Sequence, residues 1–116
     1  MEAGSSSNKS DKTWYSDLDD ALRVAKEEKK PVFVDFTGYT CTNCRWMEAN
    51  IFPDPDVRKL LKQYELVHLY TDGQGEVYAK NRSLQQTKFG TVALPFYAIV
   101  TPMGDEMARF SGMTRD

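Results

Sequence analysis

The stretch FVDFTGYTCTNCRWMEANIF, Phe33 to Phe52, carries the chain's only two cysteines, Cys41 and Cys44. Its first part, with Pro31 and Val32 before it, is a short, nearly continuous β-branched and aromatic run. That is the pattern of a strand buried on both faces. The second part, from Cys41 onward, reads as a helix, because Cys44, Met47 and Ile51 fall on one face at helical spacing. The CxxC pair therefore sits in the first turn of a helix fed by a buried strand. Two thiols at this spacing have three uses: half a metal site, a staple, or a working redox pair.

A tetrahedral zinc site needs four ligands, and the chain offers one CxxC and one histidine, His68, in a different predicted strand. A bridge across two residues closes a very small loop and removes little chain entropy, so it is a poor staple. The redox reading fits better. At a helix N-terminus, free backbone N–H groups and the helix dipole favour the thiolate of the first cysteine. A CxxC in a βα unit reads as thioredoxin-like. Asp35 lies inside the apolar run VFVDF, where a carboxylate is costly unless it works or is paired. Pro95 opens a later predicted strand within ALPFY, where a central-strand proline is disfavoured.

Working outward, Ser16 is the expected N-cap of a helix carrying Leu18, Ala21, Leu22 and Ala25 on one face, with Asp19 completing a capping box. The charged run KEEKK is a solvated helix end, and Pro31 stops the helix. After the central helix, Asp54 caps a further one with Pro55 at its first position, and Val57, Leu60 and Leu61 continue its apolar stripe. ELVHLYTD is a second strand, EVYAKNRSLQQTKFG a helix closed by Gly90, and FYAIVT a third strand. PMGD turns into EMARFSG, a fourth strand paired as a hairpin. The order α, β, α, α, β, α, β, β predicts an α/β fold, with parallel strands first and an antiparallel edge last.

With 116 residues, 41% apolar and 28% charged, the chain is sized for one globular domain. A net charge of -2, from 15 basic and 17 acidic residues, provides no basic field for nucleic acid. No apolar run approaches the roughly 18 residues of a membrane span. Residues 1–13, MEAGSSSNKSDKT, are small and polar. They are read as a tag or flexible linker, leaving 14–116 as the domain. No metal or cofactor is expected.

The run PVFVDFTGYTCTNCRWME, followed by FPDPDV, TKFG, LPFY and the closing FSG, resembles a thioredoxin-fold domain. The variant it most resembles is the C-terminal domain of the bacterial transmembrane protein-disulfide reductases, the DsbD-like thiol:disulfide interchange proteins. The resemblance covers about residues 16 to 113. It implies a thioredoxin-like fold, a central mixed sheet flanked by helices. It implies that Cys41 attacks, Cys44 resolves, and Asp35 exchanges a proton with Cys44. Leu94–Pro95 matches a cis-proline loop facing the disulfide, whose backbone pairs with a bound partner. The function implied is a protein-disulfide reductase domain. It would face the periplasm, take electrons from a membrane donor domain and pass them to an acceptor domain. The competing class is a redox-inert docking module on the same fold.

The chain departs from thioredoxin itself in having Thr42–Asn43 between the cysteines and Phe96 after the proline. It ends just after the last strand, so the family's C-terminal helix is expected to be absent. An apolar sheet face near the last hairpin should then be uncovered, unless a tail or neighbour covers it. Tyr39 and Trp46 flank the CxxC as candidates for a docking surface, although Trp46 also reads as an ordinary half-exposed helix residue. Asp35 has a plainer reading as a structural acid paired to a lysine. His68, on the neighbouring strand, either approaches Asp35 or is a satisfied or exposed strand histidine, the expected reading. Arg45 either stabilises the thiolate by charge or is a solvated neighbour of the thiols, again the expected one. Met103, Met107 and Met113 read as core and edge filler.

Overall fold

The computed structural model describes residues 14–111. The tag or linker expected over 1–13 and the expected role of Met113 lie outside the described residues. Five strands and four helices follow in the order β1 (Trp14–Tyr15), α1 (Leu18–Glu28), β2 (Val32–Thr37), α2 (Thr42–Asn50), α3 (Pro55–Leu61), β3 (Glu65–Tyr70), α4 (Glu76–Leu84), β4 (Phe96–Val100) and β5 (Glu106–Ser111). One sheet holds all five strands in the order β1-β3-β2-β4-β5. β1, β3 and β2 run parallel, while β4 and β5 add antiparallel pairs. The CxxC strand β2 is therefore central, and the predicted mixed α/β sheet is the observed one.

Local chemistry sets the element ends. Asp17, not Ser16, caps α1, because its carboxylate accepts from the backbone N–H groups of Asp19 and Asp20. The aspartate places a full charge at the positive end of the helix, where a serine would place only a dipole. Lys29 closes the helix in the left-handed region at φ 59°, and Pro31 follows. Asp54 caps α3 with Pro55 at its start, as expected. The stripe of α3 is not buried, and Leu60 is 57% exposed. α4 runs into a π-helical turn, Gln85–Phe89, which Gly90 ends at φ 74°.

Because side chains alternate across a strand, β2 divides its residues between two layers. Val32, Val34 and Phe36 face the main core with Val67, Leu69, Phe96, Ala98 and Val100, against Ala21 and Ala25 of α1. Phe33, Asp35 and Thr37 face the other side, with the in-register residues Leu66, His68 and Tyr70 of β3. An aromatic cluster fills that side, where Phe52 meets Trp14 at 5.7 Å, Phe33 at 6.2 Å and Tyr97 at 5.8 Å between ring centres. The strand β1 is an element that the composition of the N-terminal region did not announce.

Beyond β4 that second layer thins out. Every residue of β5 is exposed, and no helix follows it among the described residues. Phe110 stacks on Tyr97 at 6.1 Å yet remains 46% exposed. A shallow cavity of about 90 Å³ lies among Phe33, Tyr97, Ile99, Ala108 and Phe110. Among the described residues nothing covers this apolar patch near the last hairpin. Met103 and Met107 are 74% and 59% exposed, so neither fills the core.

Candidate active site

The chain leaves β2 at Thr37 and enters α2 four residues later through the turn Gly38–Cys41, closed by Cys41 N–H donating to Gly38 O at 3.2 Å. Cys41 is the N-cap of α2, and its sulfur accepts from the Cys44 N–H at 3.1 Å. The two cysteines are joined as a disulfide, with Cα atoms 5.2 Å apart. They are unequally placed. Cys41 is half-buried at the helix tip, while Cys44 is buried on the inward face it shares with Met47. An N–H aimed at the Cys41 sulfur is the arrangement that stabilises a thiolate there once the bond opens.

Asp72, on the loop after β3, anchors the turn. Its carboxylate accepts from Tyr39 N–H at 2.8 Å, Thr40 N–H at 3.0 Å and Thr40 Oγ1 at 2.9 Å. These hydrogen bonds hold the Asp72 carboxyl below the usual carboxylate range. The lack of a side chain at Gly38 makes room for them. A Cβ there would stand 2.8 Å from Asp72 Oδ2 and 3.1 Å from Leu94 Cδ1. Leu94 is thereby placed beside the turn that leads to Cys41.

The other predicted residues divide. The Leu94–Pro95 bond is cis, and Pro95 is buried at the threshold of β4. The preceding loop is held by Gln85 Nε2 donating to Ala93 O at 2.8 Å. Tyr39 is 53% exposed, stacks on Tyr70 at 4.1 Å and shares a 3.1 Å hydroxyl contact with Tyr78. Trp46 is half-buried at the middle of α2. His68 stacks on Trp14 at 5.5 Å and is half-buried, and burial lowers its pKa.

Asp35 is 3% exposed, and its Oδ1 has no hydrogen-bond partner. Burial, reinforced by the Glu48 carboxylate and opposed by Arg45, raises its pKa to about 8. No lysine pairs with it among the contacts of the described residues, so the plainer ion-pair reading lacks its partner. In register with Asp35 stand His68 on β3 and Tyr97 on β4. Burial and the Asp35 charge push the Tyr97 hydroxyl's pKa up.

Arg45 is not the solvated neighbour expected. Its Nε and Nη2 donate to the two oxygens of Glu48 at 3.0 and 2.7 Å, and Nη2 also donates to Thr37 Oγ1 at 3.0 Å. Its Nη1 donates to Tyr39 O at 3.3 Å, and its guanidinium lies 5.7 Å from the centre of the Tyr70 ring. The i,i+3 spacing of a helix is the signal that could have found the Arg45–Glu48 pair. The Asp72 contact, spanning more than thirty residues, left no local signal. Among the described residues, no group of three or more His, Cys, Asp or Glu side chains is placed to hold a metal ion.

A family model described as thioredoxin-like matches residues 13–102. The thiol:disulfide interchange protein DsbD 1 of Pseudomonas aeruginosa is 32% identical over 96 residues, which cover 81% of this chain and 15% of that protein. DsbD of Vibrio vulnificus is 41% identical over 51 residues, 44% of this chain and 9% of that protein. The chain thus spans a small fraction of these relatives' length. Among solved structures, the oxidised C-terminal domain of Neisseria meningitidis DsbD superposes with a TM-score of 0.66 at 21% identity, covering 89% of this chain and 90% of that one. A thioredoxin from Thermus thermophilus gives 0.69 at 24% identity, covering 87% and 75%. These two share the fold.

Proposed function

The chain belongs to the thioredoxin-like family, and from that premise we propose that it is a thiol–disulfide oxidoreductase domain whose Cys41–Cys44 couple reduces the disulfides of partner proteins. The observation that carries this reading is the buried Asp35 carboxyl, whose Oδ1 has no hydrogen-bond partner, on the strand that leads into the helix holding the couple. In the reduced domain, the Cys41 thiolate attacks one sulfur of a partner disulfide. A Cys41–partner bond forms, and the other partner sulfur leaves as a thiolate. Asp35 then takes the proton of the Cys44 thiol, and the Cys44 thiolate attacks the Cys41 sulfur, breaking the Cys41–partner bond and releasing the second partner sulfur as a thiolate. The domain ends as the disulfide and the partner as a dithiol, two electrons richer. Burial raises the Asp35 pKa to about 8, so the acid is far more basic than an ordinary carboxylate and better suited to take a proton from a thiol.

The exposed ring of Tyr39, the half-buried Trp46 and the Leu94–Pro95 backbone form the docking rim in this reading. Residues 14–116 are the working domain, and residues 1–13 a tag or linker. By analogy with its DsbD relatives, the domain faces the periplasm, receiving electrons from a membrane donor domain and passing them to an acceptor domain. No helix among the described residues is long and apolar enough to cross a membrane. Mixing serine variants with an oxidised partner protein tests the roles on a non-reducing gel. Cys44→Ser should accumulate a covalent complex and Cys41→Ser should not. Equal trapping by both would remove the division of labour, and trapping by neither would remove the redox function.

A further inference from the structure

The helix α4 does not end in the ordinary way. At Gln85 it passes into the π-helical turn Gln85–Phe89, which Gly90 closes. Such turns are rare and gather at functional sites. The side chain at the head of this one is an amide, and it is only 1% exposed. A buried amide is costly unless it is hydrogen-bonded, and Gln85 Nε2 donates to Ala93 O at 2.8 Å. Ala93 is the residue before the cis Leu94–Pro95 pair.

The loop from Gly90 to Pro95 is fixed at both ends. Phe89 is buried and its carbonyl accepts from Arg109 Nη1 at 2.9 Å, while Pro95 is fully buried. Between these ends Val92 and Ala93 are exposed. The Ala93 N–H is taken within the loop by Thr91 Oγ1 at 3.1 Å. Among the described residues, the side-chain hydrogen bond that reaches residues 91–94 from outside the loop is that of Gln85. Leu94 follows directly, and a Cβ on Gly38 of the CxxC turn would stand 3.1 Å from its Cδ1. Fixing the Ala93 carbonyl therefore fixes Leu94 beside the turn that leads to Cys41.

We propose that Gln85 is a positioning residue for partner docking. It holds the Ala93 carbonyl so that the Leu94 backbone is already in place to pair with an extended segment flanking the partner's disulfide. This role rests on the reading of Leu94–Pro95 as part of the docking rim. The Gln85 side chain is buried and ends on Ala93, so it acts on the partner only through the loop. Its effect is preorganisation, because a loop already ordered loses less freedom when a strand pairs with it. The partner that benefits is a polypeptide with extended chain beside its cysteine, recognised through its backbone. A small-molecule disulfide gains nothing.

The test uses two probes that differ in main chain alone. Each carries a cysteine as its mixed disulfide with 2-nitro-5-thiobenzoate, one within a six-residue extended peptide and the other as the blocked single amino acid. The Cys41 thiolate of the reduced domain attacks the cysteine sulfur, and the coloured thiolate leaves. Wild type should attack the peptide faster than the single cysteine. Gln85→Leu, which fills the site and lacks the donor, should cut that advantage by about three- to tenfold, the worth of one hydrogen bond, with the single-cysteine rate unchanged. If it does not fold, Gln85→Asn, whose amide is one carbon short of Ala93, replaces it. In the oxidised variant, nitrogen-15 order parameters of residues 92–94 should fall from about 0.85 to below about 0.6, while those of β2 and β4 stay high. A wild type without preference for the peptide, an unchanged preference in the variant, or unmoved order parameters overturns the proposal. An equal loss on both probes does so too, as the mark of a merely structural role. A wild type that attacks neither probe sinks the reductase reading alone, because the order parameters decide this proposal without thiol chemistry.

Discussion

At the scale of single residues, Asp35 makes stability depend on pH. Its pKa is about 8 in the folded chain and about 3.9 in an unfolded one. The folded value is raised, so its contribution to stability is fully present below pH of about 3.9 and is lost as pH rises through about 8. Between those limits the unfolded chain releases a proton that the folded chain retains. Asp35→Asn removes that dependence. The stability of the asparagine variant relative to wild type should therefore climb by about 1.4 kcal/mol per pH unit between pH 5 and 7. Urea denaturation at several pH values measures this, and parallel curves for the two proteins would mean that Asp35 ionises normally. Asp72 works by geometry. Asp72→Asn keeps an acceptor for Tyr39 but loses one for Thr40, so exchange of the Thr40 amide proton should quicken while core amides stay protected. The acid of VFVDF was legible because a carboxylate conflicts with an apolar strand. Asp72 was not, since nothing in TDGQG distinguishes a loop aspartate that clamps a distant turn.

At the scale of elements, the strand-to-helix junction at Thr37–Cys44 was legible because its signals were local: an apolar run followed by a helical stripe. Two of the misreadings have a tertiary cause. Trp14–Tyr15 forms a strand only because it meets Leu66 and Val67 about fifty residues away, and two residues carry no periodicity. In α3, Val57, Leu60 and Leu61 have helical spacing, but no layer lies over Leu60 to bury it. Ser16 lost the cap to its neighbour Asp17, a choice between adjacent residues decided by charge. The cap at the other end of α1 offers a prediction. Lys29 holds φ 59°, a region glycine enters without a Cβ clash. Lys29→Gly should stabilise the chain by about 1 kcal/mol, read as a higher denaturant midpoint at unchanged slope. A lower midpoint would show that the lysine side chain contributes more than its backbone costs.

At the scale of the whole molecule, the sheet has, among the described residues, a closed face and a partly open one, and the two should respond differently to truncation. Phe36, wholly buried between Phe89 and Phe96, should cost about 3–5 kcal/mol as Phe36→Ala. Phe110, on the open side of β5 with 46% of its surface exposed, should cost only about 1 kcal/mol as Phe110→Ala. Denaturant melts of the two variants check the contrast, and equal losses would mean that the open face is covered in solution. The central claim is that this fold exists to carry a reversible dithiol–disulfide couple poised for reduction. A redox titration of Cys41–Cys44 against defined glutathione or dithiothreitol ratios tests it most directly. The account predicts one two-electron transition between the potentials of protein disulfide isomerase, about −180 mV, and thioredoxin, about −270 mV. A bond that does not open and re-form reversibly, or a transition near the about −120 mV of a strong oxidant, would contradict it.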